Sequence, residues 1–206
     1  MSDRYEVRMA GSGSHGLVTA GLMLADAASR DGQYALHTQV RSEEISGGAC
    51  VSDVIISSAP ITYPKLVQID VLIATTLEAY CSYVSLLSQE TLLILEDSCF
   101  ANLRAPINAH RIPLIKVAER VTGTPALAGV VALGVLTRLT STASREAITC
   151  SVRERTSEGN REDYLLALLA GFGEAVKVLR GSMQREYPEM SVLPKPAARL
   201  ARAALG

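Results

Sequence analysis

Met9-Ala10-Gly11-Ser12-Gly13-Ser14-His15-Gly16-Leu17-Val18 is the stretch that decides the fold. A β-type run, Tyr5-Glu6-Val7-Arg8-Met9-Ala10, leads into it, and a helical run from Gly16 to about Ser29 leads out. Gly11, Gly13 and Gly16 stand at G-x-G-x-x-G spacing. Where a strand turns into a helix, backbone N–H groups point outward at the positive end of the helix dipole, and an anion such as phosphate can sit there. In this reading Gly11 permits the tight turn, Gly13 a close approach of ligand to backbone, and Gly16 close packing of helix on strand. Ser12 and Ser14 add hydroxyl donors, and a neutral His15 at the helix start can hydrogen-bond a ligand or make a simple loop contact. The same three glycines can also turn a strand into a helix with no ligand at all.

A dinucleotide site further requires Asp or Glu at the end of the second strand. That strand reads Tyr34-Ala35-Leu36-His37-Thr38-Gln39, with no acid at its end, and Glu43 and Glu44 come too late. Ordinary NAD binding is therefore disfavoured. No G-K-[ST] completes a Walker loop, and Gly11-Ser12-Gly13 is not a G-x-S-x-G nucleophile elbow. His15, His37 and His110 share no catalytic spacing with an acid or nucleophile.

At 206 residues, 48% of them hydrophobic, the chain is long enough for one α/β domain with a core. Its formal net charge of −1 gives no large cationic field for nucleic acid, and a low aromatic content without Trp removes the usual stacking platforms for single strands. No segment reads as a spanning helix, because the apolar stretch near 126–136 is short and holds Gly129 and Gly134. No secretory leader follows Met1, so a cytoplasmic protein is expected. Cys50, Cys81, Cys99 and Cys150 are scattered, without the grouping that a cluster or structural zinc needs.

The first two-thirds alternates strand and helix. Strands are expected at Cys50–Ser57, Asp70–Thr75, Thr91–Glu96 and Arg111–Val117, with a helix from Leu77 to about Leu87. Ala59–Pro64 is a proline-marked connection. The last third reads as helical: a turn at Ala118–Val121, then Ala126–Leu139, whose Gly129, Ala132 and Gly134 suit close packing against the domain's own sheet or a partner. Ser144 caps a helix to about Arg155, and Asn160 caps one from Arg161 to about Leu179. Leu165, Leu168, Leu169, Phe172 and Val176 recur there at core-packing spacing. The expected architecture is α/β and Rossmann-like, an open, largely parallel sheet with helices on both faces and a helical C-terminal third. The domain spans 1–185, with an extension at 186–206. A binding loop without a catalytic set suggests a subunit or a binding module.

The order of these motifs resembles the gamma subunit of 2-oxoacid:ferredoxin oxidoreductases. The resemblance runs from Met9–Gly21 through Gly32–Gln39 and is closest at Gly47-Gly48-Ala49-Cys50-Val51-Ser52-Asp53-Val54-Ile55-Ile56-Ser57. It continues at Ile61-Thr62-Tyr63-Pro64, Asp70–Ala74 and Val131–Gly134, covering roughly residues 5–180. It implies a complex that oxidatively decarboxylates a 2-oxoacid to an acyl-CoA and passes electrons to ferredoxin or a related acceptor. Thiamine diphosphate, Mg and 4Fe-4S clusters then lie on alpha, beta and ferredoxin-like delta-type partner subunits. This chain, inactive alone, contributes to coenzyme A binding through Gly11, Ser12, Gly13, Ser14, His15 and Gly16. The loop residues Arg41, Glu44, Ser46, Gly47 and Gly48 complete the implied set. Two departures stand out. Ser14 and His15 replace the family's Gly-Gln, and Ser46 and Val51 replace arginines, so that Arg41 is left to compensate for one of them. These changes imply a divergent branch.

Overall fold

The computed structural model of the chain describes residues 4–41, 48–100 and 109–186. β1 (Arg4–Ser12) enters the glycine turn and α1 (Leu17–Arg30) leaves it. Next come the strands β2 (Tyr34–Arg41), β3 (Ala49–Ser57) and β4 (Val71–Ala74), the helix α2 (Leu77–Tyr83), and the strands β5 (Leu92–Glu96) and β6 (Ala109–Ile112). The chain then turns helical: α3 (Leu114–Thr122), α4 (Ala128–Leu139), α5 (Arg145–Arg155) and α6 (Arg161–Glu186).

The strands form one sheet in the order β2-β3-β1-β4-β5-β6. β1, β4, β5 and β6 pair in parallel, while β3 is antiparallel to β1 and to β2. Five strands therefore run one way and β3 runs against them, so the largely parallel sheet is present with one reversed member. The short β2–β3 connection forces an antiparallel hairpin, since a parallel pair needs a long crossover. That hairpin places β3 beside β1, in register from Arg4↔Ser57 to Ser12↔Ala49.

Alternation decides the two faces. Val7, Met9, Val54, Ile56, Ile73 and Ile94 face the core shared with α1 and α4. Leu72, Ala74, Leu93 and Leu95 face Leu77, Tyr80 and Tyr83 of α2, together with Phe100. β4 is buried at all four positions, as a strand covered on both sides must be. Helices thus lie on both faces.

The small residues of α4 serve packing within the domain. A Cβ on Gly134 would stand 2.4 Å from the Leu168 carbonyl of α6, and one on Gly171 2.1 Å from the Val131 carbonyl of α4. The two helices touch backbone to backbone. Of the apolar stripe on α6, Leu168 and Phe172 are buried, whereas Leu169 is 50% exposed.

Four sequence-based boundaries move. The strand expected over Arg111–Val117 ends at Ile112, and Leu114 opens α3 behind Pro113. Leu114, Val117 and Ala118 are the buried positions of that helix, a 3.6-residue period hidden inside an apolar run that also reads as β. The turn at Ala118–Val121 is the end of α3. The helix from Leu77 stops at Tyr83 and a 3-10 turn, Val84–Leu86, follows. α6 continues past Leu179 to Glu186. Among the described residues no helix is long and apolar enough to cross a membrane.

Candidate functional site at the glycine turn

The turn sits beyond the carboxyl end of β1, at the edge of the sheet where β4 and β5 also end. Open α/β sheets receive ligands at this edge. Ser12 caps a 3-10 turn, Gly13–His15, its Oγ accepting from the Ser14 N–H at 3.3 Å. The two hydroxyls, Ser12 Oγ and Ser14 Oγ, are 2.8 Å apart. Gly13 and Ser14 are exposed, so the tip of the turn is polar and open.

Gly16 follows with φ 69° and ψ 22°, left-handed backbone that glycine adopts without strain. It is the N-cap of α1 and offers no side-chain cap. The first-turn N–H groups of α1 therefore have no side-chain acceptor from the cap, which favours an anion there.

The structure adds a neighbour at Gly13 and changes the role of Gly16. The Gly13 N–H donates to the Gly48 carbonyl at 2.8 Å, and a Cβ on Gly13 would stand 3.1 Å from that oxygen. Gly13 thus admits the β2–β3 connection as its close neighbour. A Cβ on Gly16 would lie 2.3 Å from the Ala126 carbonyl, and one on Gly129 2.8 Å from the Gly16 carbonyl. Gly16 therefore packs the turn against the start of α4, instead of packing α1 on β1.

His15 closes the 3-10 turn. Its Nδ1 lies 2.9 Å from Oγ1 of Thr75, the residue after β4. Burial lowers the His15 pKa below the ordinary histidine value, and the Glu96 charge opposes this. Glu96 itself is buried at the end of β5, where its carboxylate accepts from the Ser98 N–H and hydroxyl and from the Ile115 N–H. Beside it Arg111 pairs with Asp97 at 2.9 Å. The Cys99 thiol donates to the Thr75 carbonyl at 3.5 Å, and burial pushes its pKa up.

The structure thus gathers Gly11, Ser12, Gly13, Ser14, His15 and Gly16, and joins Gly48 to them. Arg41 ends β2 in register with Cys50, which is in register with Gly11. Two strand spacings set its backbone about 10 Å from that of Gly11 on the same edge. Glu44, Ser46 and Gly47 lie outside the described residues. Sequence reasoning missed Thr75, although a hydroxyl directly after a buried parallel strand, Ile73-Ala74-Thr75, marks that edge. Among the described residues no group of three His, Cys, Asp or Glu side chains could hold a metal ion.

Residues 6–174 match the family described as pyruvate ferredoxin/flavodoxin oxidoreductase. The chain belongs to this family. Within it, the chain is 31% identical over 173 residues to the 2-oxoglutarate synthase subunit KorC of Methanocaldococcus jannaschii, covering 82% of this chain and 92% of that protein. Among solved structures, the gamma subunit of keto/oxoacid ferredoxin oxidoreductase from Geobacter sulfurreducens PCA is 34% identical. It superposes with a TM-score of 0.72, covering 84% of this chain and 99% of that one. The 2-oxoglutarate:ferredoxin oxidoreductase of Magnetococcus marinus, solved with 2-oxoglutarate, coenzyme A and succinyl-CoA bound, shares the fold at 22% identity and a TM-score of 0.75. There the match covers 86% of this chain but 32% of the longer one, so the same α/β unit occurs both as a separate chain and inside a larger polypeptide.

Proposed function

We propose that this chain is the gamma subunit of a multisubunit 2-oxoacid:acceptor oxidoreductase, contributing coenzyme A binding and assembly to a complex that converts a 2-oxoacid to an acyl-CoA. Alpha, beta and ferredoxin-like delta-type subunits of the same cytoplasmic complex carry thiamine diphosphate, Mg and 4Fe-4S clusters, and ferredoxin or a related acceptor takes the electrons. The extension expected at 186–206 begins at the last residue of α6, and 187–206 lie outside the described residues.

The observation that carries this reading is the glycine turn. An exposed Gly13-Ser14 tip, two adjacent serine hydroxyls and an α1 start without a side-chain cap meet at the ligand-binding edge of the sheet. This chemistry suits a phosphate of coenzyme A. Exposed apolar side chains support assembly: Tyr34 and Val40 on the edge strand β2 are 50% and 70% exposed.

The test is steady-state kinetics of the complex reconstituted with its other subunits. Arg41→Ala is expected to raise the KM for CoA by up to about tenfold, the loss of one charge-assisted contact, and to change that for the 2-oxoacid less. Gly13→Val should do the same by displacing the Gly48 carbonyl. Unchanged constants in both variants would reject the turn as the CoA contact and favour a divergent branch that has lost it, whereas failure of the chain to restore turnover to the other subunits would favour a nucleotide- or CoA-binding module outside this enzyme class. The purified chain alone should be colourless and should reduce no acceptor with any 2-oxoacid; turnover by the single chain would reject the subunit assignment.

A further inference from the structure

We propose that Thr75 is a positioning residue that holds His15 in the Nε2–H tautomer, making that nitrogen a hydrogen-bond donor to an anionic oxygen of the phosphorylated ligand. The ligand part of this inference rests on the function proposed above.

Thr75 is fixed on all sides. Its side chain is 0% exposed, its N–H donates to the Ala10 carbonyl at 3.0 Å, and its carbonyl accepts the Cys99 thiol. Its hydroxyl lies 2.9 Å from His15 Nδ1, the one partner it has among the described residues. A hydroxyl carries one proton to donate as well as lone pairs to accept with. If Nδ1–H donated to Oγ1, the hydroxyl proton would be left without an acceptor in a place closed to water, and such groups are rare because they are costly. If the hydroxyl donates to Nδ1, both groups are satisfied. The proton of the neutral ring then resides on Nε2. Burial favours the neutral ring.

Gly11 makes this arrangement possible. A Cβ there would stand 1.9 Å from Thr75 Oγ1, so any other residue would evict the hydroxyl. His15 directly precedes Gly16 and α1, and its ring is half-buried, so the Nε2–H adds one more donor within two residues of the helix start.

A second histidine provides an internal control. His37 Nε2 lies 2.9 Å from the hydroxyl of Ser52, which is 0% exposed. The same reasoning gives His37 the opposite tautomer, Nδ1–H.

The experiment is a long-range ¹H–¹⁵N spectrum of the full chain labelled with ¹⁵N-histidine, assigned with His15→Asn and His37→Asn. His15 is expected to show an imine-type Nδ1 and a pyrrole-type Nε2, and His37 the reverse. Thr75→Val, which keeps the shape and removes the hydroxyl, should shift His15 toward a mixture of tautomers and leave His37 alone; Thr75→Ser should restore it. A His15 bearing its proton on Nδ1, or one indifferent to Thr75→Val, overturns the proposal, and the wild-type spectrum decides this even if the variant does not fold. In the reconstituted complex Thr75→Val should raise the KM for CoA several-fold, up to about tenfold, more than that for the 2-oxoacid, with Thr75→Ser near wild type. A spectrum as expected with unchanged KM values would reject the glycine turn as the ligand site while leaving the hold of Thr75 on His15 intact.

Discussion

Two places in this domain are built from the same three parts. At one, His15 meets the buried hydroxyl of Thr75, and Gly11 leaves the room; at the other, His37 meets the buried hydroxyl of Ser52, and Gly21 leaves the room. A Cβ would stand 1.9 Å from the hydroxyl in the first case and 2.0 Å in the second. Both rings are half-buried, and burial lowers both pKa values. What differs is location. The Ser52 group lies within the sheet, where α1 packs on the β2–β3 hairpin, and its bond joins the two strands of that hairpin. The Thr75 group lies past the ends of β1 and β4, beside the exposed tip of the turn. The side chains alone do not distinguish the two; their place on the sheet does, since only the Thr75 group stands at the edge where open α/β sheets receive ligands.

The largest effects that could break this parallel concern the glycines. Gly21→Ala drives a Cβ into the Ser52 hydroxyl and should cost about 2–3 kcal/mol in urea unfolding, as overpacking of a core does. Adding Ser52→Ala should recover much of that loss, a coupling seen when two substitutions share one contact. A double variant that is merely additive would show that the hydroxyl is not the obstruction. Gly16→Ala, by contrast, meets the Ala126 carbonyl of the backbone and a left-handed φ, and should cost about 3 kcal/mol with no side-chain substitution able to rescue it.

A smaller effect lies in pH. Each ring is held neutral in the folded state, its pKa below the unfolded value of about 6.5. The contribution to stability is therefore complete above about pH 6.5 and is lost as pH falls through the folded pKa values. Denaturation between about pH 5 and 8 should show this decline. His15→Asn and His37→Asn should each flatten it, and an unchanged slope in both would remove the histidines as its cause. The smallest effect separates the two sites. The Asp53 charge opposes the burial shift of His37, whereas that of Glu96 opposes the shift of His15. Asp53→Asn should lower the His37 pKa further, read by NMR titration, and leave His15 where it was. A common movement of both would mean that the substitution had loosened the domain, since Asp53 also pairs with Arg8 at 2.6 Å.

Local signals carried much of the architecture. The strand–glycine turn–helix unit, the buried run Val71–Ala74 and the Ser144 cap, whose Oγ accepts from the Ala147 N–H, all follow from spacing and residue type. What was illegible is non-local. Nothing in Ala49–Ser57 announces that it runs backwards between β1 and β2, because its pairing is decided by the hairpin and by register with a strand some forty residues earlier. Leu114–Val117 suits either period when read by itself, and the buried Glu96, which accepts from the Ile115 N–H, stands at the start of its helix. At the site, the glycine spacing located the turn, but the occupants of the spaces left by Gly11 and Gly16 are Thr75 and Ala126, far away in the sequence. Their roles emerge only when the chain is folded.

The bond from Gly13 to Gly48 has a consequence for how such a domain diversifies. The span 42–47 is bounded by Arg41, locked in the ladder opposite Cys50, and by Gly48, clasped by the glycine turn. Both of its moorings are backbone contacts, indifferent to the side chains between them. Substitutions inside the span can therefore exchange one set of chemical groups for another and leave both moorings as they are. What holds the two ends and what varies between them are thus written in separate parts of the chain.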